Sequence, residues 1–144
     1  KDDRIFIVNT NSTHMRDAYI EMFTEKKCAA YYDRKTKIQK IKAGNTVCLY
    51  HVGVGIIGIG KAITDYQKKD YLSDKDEEYF VPIEFEYLVD INDRKWKRKA
   101  VHAWEINCNF TTSHRFRLTV FKLPSEFGDF IKTTLANKGN KKLN

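Results

Sequence analysis

Arg94-Lys95-Trp96-Lys97-Arg98-Lys99 interleaves one indole with five cations. Cations neutralise phosphates and an indole offers a face to a base. The run therefore has the composition of a surface that follows a nucleic-acid backbone. It equally suits a basic hairpin with Trp96 folded onto a sheet. Further on, Trp104 and Phe110 precede Thr111-Thr112-Ser113. Aromatic walls beside short hydrogen-bonding side chains are what a flipped-out base needs, and this stretch reads as aromatics beside one loop. A core position for Trp104 stays open on the same residues. Tyr31 and Tyr32 are two more aromatics set among polar and basic neighbours.

Other chemistries fit less well. Gly53-Val54-Gly55-Ile56-Ile57-Gly58 matches the GxGxxG pattern, but a dinucleotide site needs a helix to follow it. Ile59-Gly60-Lys61-Ala62-Ile63-Thr64 is β-branched and continues as strand. These glycines suit a hairpin or a sharply bent barrel strand, at Gly55 and Gly58 in particular. Ser113-His114 has neither a nucleophile elbow nor a positioned acid. Asp76-Glu77-Glu78 lies in the acidic stretch 70–78, read as a solvated loop or short helix. His51 and His102 read as structural. Cys28, Cys48 and Cys108 form no CxxC pair and read as buried, reduced thiols of a cytoplasmic protein. No catalytic residue, metal or organic cofactor is assigned.

The chain has 144 residues, 42% hydrophobic and 31% charged, with a net charge of +7. That is one domain with enough apolar content for a core. No apolar run reaches the ~20 residues of a membrane-spanning helix. Cations concentrate at 26–42, 94–99 and 132–142, away from the acids of 70–78. Such segregation favours an anionic partner, nucleic acid first. The first residue is Lys1, not Met, which fits a chain trimmed, processed or cut from a longer protein.

The elements that must hold these residues follow from periodicity. Ile5-Phe6-Ile7-Val8 is a buried strand. Met15, Ala18, Tyr19, Met22 and Phe23 recur at helical spacing behind a Ser12 or Thr13 cap. Residues 46–50 and 59–66 read as strands. Val81, Ile83, Phe85, Tyr87 and Val89 share one strand face, with Pro82 marking an edge or bulge at its start. Phe116, Leu118 and Val120 alternate in a last strand. Phe127, Phe130, Ile131 and Leu135 mark a helix opened by Pro124-Ser125. Residues 137–144 read as a fraying polar tail. Strands outnumber helices without regular alternation, so the class is α+β, with a curved or closed sheet and helices outside it.

Residues 41–51, Ile-Lys-Ala-Gly-Asn-Thr-Val-Cys-Leu-Tyr-His, resemble the turn-and-strand signature of EVE domains. The glycine-bearing strand 55–62 is similar to the one that follows in that family. The opening strand at 4–8 and the 114–126 segment resemble its first and closing elements. The resemblance implies a PUA-like fold related to YTH domains, a curved or barrel-like mixed β-sheet flanked by helices. It covers residues 1–137 as a single EVE/PUA-like domain, leaving 138–144 as a basic tail. It also implies a non-catalytic reader that takes one modified base, in DNA or RNA, into a pocket. The family's usual pocket Trp falls near Lys26 or Lys27 here, so another aromatic must replace it.

On that resemblance, the base pocket is Tyr31, Tyr32, Tyr50 and Trp104, with Asn9, Asn11, Thr112 and Ser113 bonding the base edge or a phosphate. Arg94, Lys95, Trp96, Lys97, Arg98 and Arg115 follow the backbone. DNA is preferred over RNA from the family's association with restriction and antiviral systems, which also implies a fused or associated nuclease or helicase effector. Two other classes fit the composition: an enzyme binding a nucleotide or small anion through the glycine segment, and a basic protein–protein adaptor.

Overall fold

The computed structural model describes residues 5–10, 18–71, 73–110 and 119–143. Its elements are β1 (Ile5–Asn9), α1 (Ala18–Glu25), β2 (Lys27–Tyr31), a 3-10 segment (Tyr32–Lys40), β3 (Thr46–His51), β4 (Gly55–Ala62), β5 (Gln67–Tyr71) and β6 (Asp74–Leu88). A 3-10 turn (Trp96–Lys99), α2 (Ala103–Phe110), β7 (Val120–Leu123) and α3 (Phe127–Asn137) complete the chain.

The strands form one mixed sheet in the order β2-β6-β4-β3-β1-β7, with β5 also on β6. Among the described residues only β1 and β3 run parallel; the other pairs are antiparallel. At 15 residues, β6 is long enough to change partners. Its first half lies between β2 and β5, and its second half pairs with β4. Register shifts at Leu49/Tyr50 and Ile59/Gly60 add local twist, so the sheet curls into a half-barrel. The curl brings opposite edges together: Arg34 Nη1, beyond β2, donates to Thr119 Oγ1, just before β7, at 2.9 Å.

Two glycines are required by close approach. A Cβ on Gly60 would stand 2.2 Å from the Glu84 carbonyl oxygen. Gly55 has a φ of +139°, and its Cβ would meet the Val101 oxygen at 2.4 Å. The bend expected at Gly55 is thus met. Gly58 lies under the Phe85 and Leu88 side chains, also a close approach.

Several expectations need correction. The acidic stretch 70–78 is the β5–β6 hairpin, and Glu78 is buried opposite Tyr31. Charge suggested solvent; pairing with Lys27 overrides it. The strand placed at 59–66 is β4, four residues earlier, because the glycines themselves are strand. The strand expected from Val81 begins at Asp74, so Pro82 lies in its interior and not near its start. It sits where β5 has ended at Phe80 and β4 begins at Ile83, a gap that tolerates a missing N–H. Residues 103–110 are helix rather than loop: Ile106 is buried and Phe110 packs on Phe127 at 3.9 Å. The carboxylate of Glu105 accepts from the His102 N–H at 3.1 Å, half of a capping box. The tail is docked, since the Leu143 N–H donates to the Glu86 oxygen at 2.8 Å. Cys28 and Cys48 are buried as expected, but Cys108 is exposed. Met15, Phe116 and Leu118 lie outside the described residues.

Candidate nucleic-acid interface

The parallel strands β1 and β3 end side by side, with Asn9 opposite Tyr50. Both side chains are buried there. The Thr10 N–H donates to the Tyr50 oxygen at 2.8 Å, and Thr10 Oγ1 shares a 2.9 Å hydrogen bond with His51 Nδ1. The His51 ring lies 6.0 Å from that of Trp96. Burial, then the charge of Lys97, holds the imidazole below its ordinary pKa. His51 is thus neutral near pH 7.

The turn that carries Trp96 is built by aspartates. Asp90 accepts from the Asn92 N–H and Asp93 from the Lys95 N–H, each at 2.9 Å. Lys99 pairs with Asp93 at 2.7 Å, holding that carboxyl below its usual range. Short Asp side chains bond backbone locally in such turns. The result leaves Arg94, Lys95, Lys97 and Arg98 exposed around a half-buried Trp96. The Lys97 ammonium stands 5.8 Å from the indole centroid, a cation–π contact.

Trp104 projects from the first turn of α2 and is 67% exposed. Its ring stacks on His102 with centroids 6.2 Å apart and planes 7° from parallel. His102 is itself fixed by a 2.5 Å hydrogen bond between Nδ1 and the Val54 oxygen. Val54, in the β3–β4 turn, donates its N–H to the His51 oxygen. Contacts thus run from Trp96 to His51, from His51 through Val54 to His102, and from His102 to Trp104. Both histidines belong to this group as ring partners, a role that their isolated positions in the sequence do not announce.

Tyr31 and Tyr32 stand elsewhere, at the end of β2. Tyr31 packs on Tyr71 at 4.4 Å, and Tyr32 meets Tyr71 edge-on at 5.5 Å while bonding Asp74 at 2.6 Å. Among the described residues no ring contact joins this cluster to Trp104. Asn11, Thr112, Ser113 and Arg115 lie outside the described residues.

Beside the tyrosines, Lys27 is 2% exposed and Glu78 1%. Lys27 Nζ donates to Glu78 at 2.5 Å and to Glu21 at 2.9 Å. Burial lowers the Lys27 pKa, but the carboxylates more than reverse this and the net shift is upward. Glu78 is also shifted up, chiefly by burial, against the pull of Lys27. Among the described residues no group of three or more His, Cys, Asp or Glu is gathered as a metal site. No described helix is long and apolar enough to cross a membrane.

No family model matches the chain, and no curated protein matches it by sequence. Solved structures match it in shape. The Mmi1 YTH domain aligns with a TM-score of 0.60 at 14% identity, covering 93% of this chain and 96% of that one. The YTH domain of Zygosaccharomyces rouxii MRB1, solved with N6-methyladenosine RNA, gives 0.58 at 11% identity, covering 97% and 90%. Human THYN1, solved with DNA containing 5-methylcytosine, gives 0.50 at 13% identity, covering 94% and 98%. The expected architecture is met, and the chain adopts the α+β, PUA-like fold that YTH domains share with THYN1.

Proposed function

We propose that the protein is a non-catalytic reader of nucleic acid that takes up one modified base by stacking it on Trp104. The observation that carries this reading is the exposed indole, its plane parallel to that of His102, which contacts link through Val54 and His51 to Trp96 in the cation-rich 94–98 turn. A large apolar ring left open to water and linked to cations is a surface made for a stacked, charged partner. Two proteins of the same fold, solved with methylated RNA and with methylated DNA, support the choice of ligand.

In this reading Tyr50 and Asn9, opposite each other at the ends of β3 and β1, serve the same base as Trp104. Arg94, Lys95, Lys97 and Arg98, with Trp96 among them, hold the phosphates. Arg115, Asn11, Thr112 and Ser113 extend the same roles. Tyr31 and Tyr32 belong to the second aromatic cluster. DNA over RNA, and service as the recognition domain of a restriction or antiviral effector, rest on the resemblance to EVE domains. The direct test is a binding screen of matched RNA and DNA oligonucleotides, single- and double-stranded, with and without one N6-methyladenosine or 5-methylcytosine. The reading requires at least one methylated oligonucleotide to bind more tightly than its unmethylated match. Equal affinity throughout would overturn it.

A further inference from the structure

The link between the cation-rich turn and the helix that carries Trp104 runs from Lys99 to His102, and it is held from two sides. On one side Val101 exchanges both backbone hydrogen bonds with Ile56 of β4, at 2.7 and 2.9 Å. On the other stand two residues that follow α3. Asn140 Nδ2 donates to the Lys99 oxygen at 2.9 Å, and Lys138 Nζ donates to the Ala100 oxygen at 2.7 Å. Asn140 Nδ2 also donates to the Leu135 oxygen at 2.9 Å, which ties it to α3. The Lys138 ammonium pairs with Glu105 as well, the carboxylate that accepts from the His102 N–H.

The way α3 ends puts these two side chains where they are. Gly139 has a φ of +97°, which glycine adopts without strain. Its N–H donates to the Ala136 oxygen at 3.1 Å, and the Asn140 N–H donates to the Leu135 oxygen at 3.2 Å. These two bonds make a Schellman ending, which turns the chain back beside the helix. The residues on either side of the glycine then reach consecutive carbonyls, 38 and 41 residues away in sequence. Each grips a different end of the link. Asn140 holds the last residue of the turn, and Lys138 joins the link to the first turn of α2 through Glu105.

A base and its phosphates are covalently joined, so their spacing is set by the ligand. A protein whose ring and cations move independently must order them on binding, which weakens affinity; one that holds them in place beforehand avoids that loss. We propose that Lys138 and Asn140 are positioning residues, which fix the Trp104 helix relative to the phosphate-holding turn so that both engage one strand together. This rests on the reader function proposed above.

The test compares Lys138→Met and Asn140→Ala with the wild type and with Trp104→Ala. Fluorescence polarisation on a methylated oligonucleotide and its unmethylated match, over a series of salt concentrations, gives affinities, their ratio and the salt slope. In both variants affinity for the methylated oligonucleotide should fall about 2- to 10-fold, the loss expected when one group must be ordered on binding. The unmethylated match should change less, so the ratio drops, while the salt slope stays at the wild-type value because neither residue touches phosphate. Should Lys138→Met fail to melt cooperatively, Asn140→Ala, which removes only hydrogen bonds of a half-buried amide, decides the matter. Folded variants that keep the wild-type ratio overturn the positioning role, and so does a salt slope that falls by one phosphate contact in Lys138→Met. If Trp104→Ala loses the ratio in the same experiment, the reader function survives that failure. A wild type that prefers no methylated oligonucleotide overturns both.

Discussion

Replacing Trp104 by alanine removes an indole that contributes little to folding and, on the proposed function, much to binding. About a third of the residue is covered, and its ring lies parallel to that of His102. Covering roughly 80 Å² at about 25 cal/mol per Å² is worth at most about 2 kcal/mol. Alanine returns about half a kcal/mol in helix propensity. A net loss near 1 kcal/mol lowers the melting temperature of a chain this size by roughly 3–5 °C. Stacking of a base on one aromatic is worth about 1–3 kcal/mol, so affinity should fall about 5- to 150-fold. Flipping a base out of a stack costs a few kcal/mol, which only the pocket can offset. The ratio between methylated and ordinary oligonucleotides should therefore fall toward one, while weak salt-dependent binding remains. Fluorescence polarisation on matched oligonucleotides at fixed salt, with melting curves as the folding control, measures both quantities. Trp104→Phe, which keeps a stacking face, should recover part of the loss. A folded Trp104→Ala that keeps both the wild-type affinity and ratio refutes the assignment.

Lys95→Gln/Lys97→Gln should weaken every oligonucleotide about equally and reduce the salt slope by about 1.4–1.8, for two phosphate contacts at about 0.7–0.9 each; an unchanged slope removes the 94–99 turn from the interface. Lys27→Met should cost about 3–5 kcal/mol in chemical denaturation, because Glu78 stays buried without its cation, and Lys27→Met/Glu78→Leu should recover most of that. The His51 pKa is depressed by burial and Lys97, so the unfolded chain takes up a proton that the folded one does not. Its contribution is full above the unfolded value near 6.5 and is lost as pH falls below it, so melting temperatures should drop there, and less so in His51→Gln. Gly60→Ala forces a Cβ onto the Glu84 carbonyl and should cost about 3 kcal/mol or more, read as lost soluble, cooperatively melting protein.

Local pattern was enough for the elements that carry one clear period. Ile5-Phe6-Ile7-Val8, the 81–89 alternation and the Phe127–Leu135 spacing each name an element and its buried face, because hydrophobic burial repeats with backbone geometry. The glycine segment was legible too, since β-branched residues after it exclude a helix N-terminus. The exposed cations of 94–98 follow from composition, as nothing buries five charges in six residues without partners.

Partners distant in sequence were not legible. Asp76-Glu77-Glu78 looks like solvated charge until β2 brings Lys27, 51 residues away, against Glu78. Residues 103–110 carry too few periodic apolar positions to declare a helix, and α3 supplies the missing packing through Phe127. Tyr31, Tyr50 and Trp104 share a residue class and so read as one pocket. The fold gives each its own neighbours: Tyr50 ends β3 opposite Asn9, Tyr31 packs on Tyr71 against β6, and Trp104 lies on α2 parallel to His102. Composition determined what kind of partner this chain suits. Strand order and register decided which aromatic is left open to meet it, because burial is a property of the assembled sheet and not of any residue along it.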